Sequence, residues 1–246
     1  MMQYQQDTIP VWEAMEQKLP CPLCGLAHKL EQEMINRTLG ASVMEPDERI
    51  RFNRLGACKR HQSMLFAAQN RLGHALLIDS HLKERRAALV TVRARIGKGG
   101  FLRRGADLPG IAATLQTMAS GCVVCDAVDA HMARYRRTFL YLWKTSDAFR
   151  EAWQQSQGVC LPHAAALLND AAHMLSPQKQ AQFAAEVLDR LSQQLETDAK
   201  DLDWFTRKFD YRNQNEPWGN SKTALECAVN RLRGYCLGDP PSIPKK

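Results

Sequence analysis

A duplicated cysteine and histidine pattern constrains this chain more than any other feature. Cys21-x2-Cys24 is followed after 33 residues by Cys58-x2-His61, and Cys122-x2-Cys125 is followed after 34 residues by Cys160-x2-His163. Equivalent positions lie 101 or 102 residues apart (21 to 122, 58 to 160), and six of the eight cysteines belong to the repeat. A Cys-x2-Cys turn lets two thiolates converge on one ion, and Cys-x2-His at a helix start places residues i and i+3 on one face. Four such ligands complete a tetrahedron of the soft and borderline donors that zinc prefers. Read consecutively, the pattern predicts one Cys3His site per half. Cys21, Cys24, Cys58 and His61 form the first, and Cys122, Cys125, Cys160 and His163 the second. Two Zn2+ ions per chain satisfy that donor set. Two [4Fe–4S] clusters are the alternative, since cysteines hold such clusters and histidine replaces a ligand in some iron–sulfur centres.

The rest of the chain predicts an all-α fold of two tandem helical-hairpin repeats, each tied by its Cys3His site, with a long helix after each Cys-x2-His. Alternating strand-like runs are absent, and apolar residues recur at helical spacing, as in Leu26, Leu30, Met34 or Ile35, and Leu39. Gly40 stops that helix. Pro46-Asp47-Glu48 opens the next, which ends at Gly56. One long helix is expected from about Lys59 to Ile96. In the second half, helices are expected over about 126–144, over 147–155 with Ser146 as its cap, and after Cys160. Another runs from Ser176-Pro177 to about Phe209, with Leu188, Leu191, Leu195 and Leu202 on its apolar face. A loop over 213–220 and a final helix over about 222–232 complete the reading. The implied organisation is a first metal-binding repeat over 1–96, a basic linker over 97–110, a second repeat over 111–212, and a C-terminal helix and tail over 213–246. The linker assignment rests on five glycines and a proline within 97–110.

The net charge of +7 is local. Residues 83–104 carry Lys83, Arg85, Arg86, Arg93, Arg95, Lys98, Arg103 and Arg104 against Glu84, and the remainder of the chain is neutral on balance. Such a stretch can grip the phosphates of a nucleic acid; the plainer reading is a solvated helix face and a linker. Only Phe101 interleaves with it, so no stacking platform is indicated. No apolar run reaches membrane length and the N-terminus has no secretory pattern, so a cytosolic protein without a membrane partner is expected. In the cytosol, clustered Cys-x2-Cys motifs bind metal or do redox work more often than they form structural disulfides.

Thiol–disulfide catalysis needs a βαβ context around Cys21-Pro22-Leu23-Cys24, and none is visible. Cys227 and Cys236 fall outside the repeat and are expected to pair or to sit as small buried groups. Trp204, Phe205 and Phe209 are expected to pack the core. No Ser/His/Asp or paired-carboxylate constellation stands out as an active site. The segments Cys21-Pro-Leu-Cys24, Gly56-Ala-Cys58-Lys-Arg-His61, Gly121-Cys122-Val-Val-Cys125 and Gly158-Val-Cys160-Leu-Pro-His163 resemble an uncharacterised bacterial family, domain-of-unknown-function family 6062. The resemblance spans about residues 10–236 and implies a helical, cytosolic, metal-binding protein with no assigned activity. The family's frequency in anaerobes favours iron–sulfur somewhat. With all four coordination positions filled by protein, the reading leans away from an enzyme. It favours a zinc-tied scaffold with a protein partner, with an iron–sulfur or thiol redox protein and a nucleic-acid binder as alternatives.

Overall fold

A computed structural model describes residues 5–96 and 106–243. Among these residues the chain is helical throughout, without a strand, and carries two Cys3His groups. Eleven α-helices follow in order: α1 (Gln5–Glu16), α2 (Pro22–Leu39), α3 (Pro46–Leu55), α4 (Lys59–Ala67), α5 (Arg71–Arg95), α6 (Leu108–Ser120), α7 (Val123–Thr145), α8 (Asp147–Gln155), α9 (Leu161–Met174), α10 (Pro177–Arg207) and α11 (Ala224–Arg233). Short 3-10 turns sit at Ala41–Val43, Tyr211–Asn213 and Gly219–Thr223. No single helix is long and apolar enough to cross a membrane; α6 and α7 reach that length together but bend by 66° at their junction.

The helix ends follow local chemistry. Ser146 accepts a hydrogen bond from the Phe149 amide at 3.2 Å, the cap expected from sequence. The single helix expected from Lys59 to Ile96 is two. Gln69 adopts φ 62°, outside the helical region, and Asn70 restarts the chain as the cap of α5 by accepting from Gly73 N at 2.9 Å. The linker expected over 97–110 also changes: residues 97–105 lie outside the described residues, and α6 begins at Leu108. There Asp107 accepts from Gly110 N and Pro109 occupies the first turn, where its missing N–H costs nothing.

The compact units are not the sequence halves. One comprises Met1–Leu30 with Ala130–Lys246, the other Glu31–Asp129, so the boundaries differ from 1–96 and 111–212. Both fall inside helices, α2 and α7, each of which begins within a Cys-x2-Cys motif.

The larger unit has an aromatic core. In α8, Phe149 and Trp153 are four residues apart and fully buried. Phe139 meets both edge-on, at centroid distances of 5.0 and 5.3 Å, and Trp12 meets Phe149 at 5.1 Å. On α10 the buried line is Phe183, Val187, Leu191 and Asp198, while Leu188 is 55% exposed. Of the aromatics expected in the core, Trp204 and Phe205 are half-buried and Phe209 is exposed. Trp204 Nε1 donates to the Pro217 carbonyl, so a polar partner holds it near the surface. The smaller unit packs Ile35, Leu39, Val43, Phe52, Leu65, Leu77, Cys122 and Val124 together, with α3 lying against α5.

Candidate metal centres

Two loop constructions present the candidate ligands, and each is used twice. The Cys-x2-Cys pairs stand at the starts of α2 and α7. Cys58 and Cys160 cap α4 and α9 with nearly identical backbone angles, φ −70° and −71°, ψ 167° and 162°. Two residues earlier Gly56 and Gly158 take φ of 66° and 76°, a left-handed turn that favours glycine. Each histidine then lies one turn into its helix.

The pairing of these motifs corrects the consecutive reading. Cys21 and Cys24 meet Cys160 and His163, whereas Cys58 and His61 meet Cys122 and Cys125. Each group takes its Cys-x2-Cys from one sequence half and its Cys-x2-His from the other. Within the first group, Cys160 Sγ lies 3.7 Å from both Cys21 Sγ and Cys24 Sγ. His163 Nδ1 lies 3.4, 3.5 and 3.2 Å from Cys21, Cys24 and Cys160. In the second, His61 Nδ1 is 3.2 Å from Cys58, 3.1 Å from Cys122 and 3.4 Å from Cys125, with Cys58 and Cys125 sulfurs 3.9 Å apart.

Buried contacts fix each arrangement. The Arg231 guanidinium donates to the carbonyls of Pro20 at 2.7 Å and Gln157 at 3.2 Å, in the segments leading to Cys21 and Cys160. Asp198 at 3.1 Å balances its charge, and the Arg231 side chain is only 3% exposed. Tyr235 N–H points at Cys24 Sγ, 3.4 Å away. In the other group, Val123 N donates to the Gly56 carbonyl at 3.0 Å. Gly121 is required there, because a Cβ would come within 2.5 Å of the Leu55 carbonyl oxygen.

The electrostatics of both groups are compatible with a cation. Burial, with hydrogen bonds to Cys160 and Cys24, holds the Cys21 thiol protonated well above its ordinary range. Hydrogen bonds from Cys21 and Cys24 hold Cys160 as thiolate. Burial pulls the His163 imidazole down, but its bonds to Cys160 and Cys24 outweigh that and lift it to about 9. In the second group, burial and Cys122 push Cys125 up to about 12. Burial raises Cys58 as well, yet bonds from the His61 amide and from Cys122 and Cys125 bring it below its usual value. Three thiolates this close repel one another, so protons divide them unequally. A divalent cation among the four donors would remove that conflict, and such ligands bind metal in their deprotonated forms.

The groups differ beyond the ligands. His61 Nε2 lies 2.9 Å from Glu31 Oε1, and Arg60 donates to Glu31 Oε2 at 2.6 Å. A carboxylate on the far ring nitrogen fixes the tautomer and orientation of a ligating histidine. Sequence reading missed Glu31, which belongs to no motif, and missed Arg231, which lies outside the repeat. One repeat further on, Met132 stands in place of Glu31 and Pro162 in place of Arg60. Glu31→Gln is therefore expected to weaken metal binding about 10–100-fold at the His61 site alone. Titration with a competing chelator, resolving two equivalents, checks this. In the first group, a cavity of about 310 Å³ reaches Cys21, Cys24 and Cys160, with Leu19, Pro20 and Pro240 also in its wall.

A family model matches residues 2–239, described as a family of unknown function, DUF6062. The chain belongs to the DUF6062 family. The match covers both Cys3His groups of this DUF6062 chain. No curated protein and no solved structure matches it.

The remaining sequence candidates are not brought to these centres. Cys227 and Cys236 are free thiols, half-buried and exposed, and neither pairs. Lys83 is paired with Asp79 at 2.6 Å, Arg85 donates to the Arg54 carbonyl, and Arg86 and Arg93 are exposed. Arg103 and Arg104 lie outside the described residues, as does the side chain of Arg95.

Proposed function

We propose that each Cys3His group binds one zinc ion as a structural tie, and that the protein is a zinc-held helical scaffold for a protein partner. The observation that carries this reading is the spacing of the donors. Metal–sulfur bonds of about 2.3 Å and metal–nitrogen bonds of about 2.0–2.1 Å give tetrahedral edges of roughly 3.8 Å between sulfurs and roughly 3.6 Å from sulfur to nitrogen. The sulfur–sulfur separations of 3.7–3.9 Å and sulfur–nitrogen separations of 3.1–3.5 Å suit a single ion of that size. A four-iron cluster interposes irons and sulfides between its thiolates and would hold them much farther apart.

Four protein ligands leave no position for a substrate, which supports structure over catalysis. The expected result of elemental analysis on protein purified without oxygen is two zinc per chain and no visible absorbance. Brown protein containing iron and acid-labile sulfide would overturn the zinc reading. A thiol redox role is favoured by one observation, the cavity lined by Cys21, Cys24 and Cys160 of the first group. Zinc retained with all six ligand thiols reduced after mild peroxide treatment would exclude it.

A further inference from the structure

From Ile78 to Gly121, no described residue is buried. This stretch, all within the unit Glu31–Asp129, nevertheless carries many large aliphatic side chains. On α5, Leu82 is 62% exposed and Leu89 45%, and Ile96 just past its end is 39% exposed. They are seven residues apart and so lie along one line of the helix. Arg86 and Arg93, both exposed, follow Leu82 and Leu89 by four residues and flank that line. The next helix, α6, has no charged side chain, and Leu108, Ile111, Leu115 and Met118 form a stripe at helical spacing. Leu108 is 68% exposed and Leu115 44%.

We propose that this stretch, α5 from Leu82 onwards together with α6, binds the surface of an anionic membrane. Its aliphatic side chains enter the interface, and its arginines meet the lipid phosphates. Three observations select that occupant. From 85 to the end of α5 the sequence has Arg85, Arg86, Arg93 and Arg95 and no acid, so a second copy laid along the same line would face cation with cation. Nucleic acid would satisfy the arginines but gives no burial to the aliphatic line, and Phe101 is the only Phe, Tyr or Trp between 78 and 121. An anionic bilayer surface serves both, since binding there grows with buried apolar area and with attraction to acidic headgroups. Arginine is suited to the boundary because its stem lies on apolar surface while its head stays with phosphate. Peripheral binding of this kind needs no helix of spanning length.

The test is co-sedimentation of the full chain with phosphatidylserine-containing vesicles, against pure phosphatidylcholine vesicles. Binding to the anionic vesicles alone is expected, and it should weaken with salt. A cation near such a surface is worth about fivefold in partition, so Arg86→Gln with Arg93→Gln should reduce binding about thirtyfold. Leu89→Ser with Leu115→Ser should reduce it as well. All four positions are exposed, so metal content and helicity should be unchanged. No sedimentation, or sedimentation unaffected by the Leu variants, would overturn the proposal. So would duplex DNA binding that the Arg variants abolish and the Leu variants leave intact. A concentration-dependent dimer lost with Leu89→Ser would reassign the surface to a second copy and overturn it too.

Discussion

Cys58→Ser combined with Cys122→Ser is expected to remove one metal equivalent, and Cys58→Ser combined with Cys24→Ser to remove both. The first pair of substitutions falls in one group and the second is divided between groups. Consecutive pairing of the motifs would reverse the two outcomes, so metal counts on these double variants decide the ligand assignment. The effect on stability should be large. Structural zinc contributes roughly 10–16 kcal/mol in finger peptides, comparable to the roughly 5–15 kcal/mol that stabilises a whole domain. The unit that loses its ion should therefore unfold. All five tryptophans, Trp12, Trp143, Trp153, Trp204 and Trp218, belong to the unit Met1–Leu30 with Ala130–Lys246. Cys58→Ser with Cys122→Ser should thus leave tryptophan emission native while helicity falls. Cys21→Ser with Cys160→Ser should shift the emission to that of solvated indole. Native emission in the latter variant, or two metals retained in the former, would contradict the assignment.

The eight cysteines and histidines that gather into two groups, and the helical class, were legible because both rest on local chemistry. A Cys-x2-Cys turn and a Cys-x2-His helix start are complete within four residues, and helical periodicity shows within a few turns. Which Cys-x2-Cys meets which Cys-x2-His is not local. Loop-closure entropy argues for the nearer partner, but it grows only logarithmically. Joining Cys21 to Cys160, 139 residues away, in place of Cys58 costs only about 1 kcal/mol more. Burial of the Trp12, Phe139, Phe149 and Trp153 cluster, which brings α1 against α8, readily outweighs that. The repeat favours the consecutive pairing, and tertiary packing overrides it. Other misses have smaller causes. Pro109-Gly110 reads as linker until Asp107 is seen as a cap, and Asn70 marks a helix start that the apolar pattern runs straight through. Glu31 acquires its role only when α2 brings it beside His61.

The exchanged pairing also predicts how the chain behaves when it is cut between its halves. With a protease site inserted between Gly99 and Gly100, cleavage is expected to leave one species in native mass spectrometry, both fragments together with two metals. Each ion would then draw two ligands from each fragment. Chelation should weaken the association steeply: if each ion contributes even about 4 kcal/mol, removing one changes fragment affinity roughly a thousandfold. In the metal-loaded state the Asp7–Arg134 ion pair at 2.8 Å and the Arg231 bond to the Pro20 carbonyl also join the fragments. The informative quantity is therefore the ratio of fragment affinities with and without metal. A ratio near one would mean that each ion is held within a single fragment, as consecutive pairing requires. A large ratio, together with two metals retained on the joined fragments and none on either fragment alone, is the result that ligands drawn from both fragments predict.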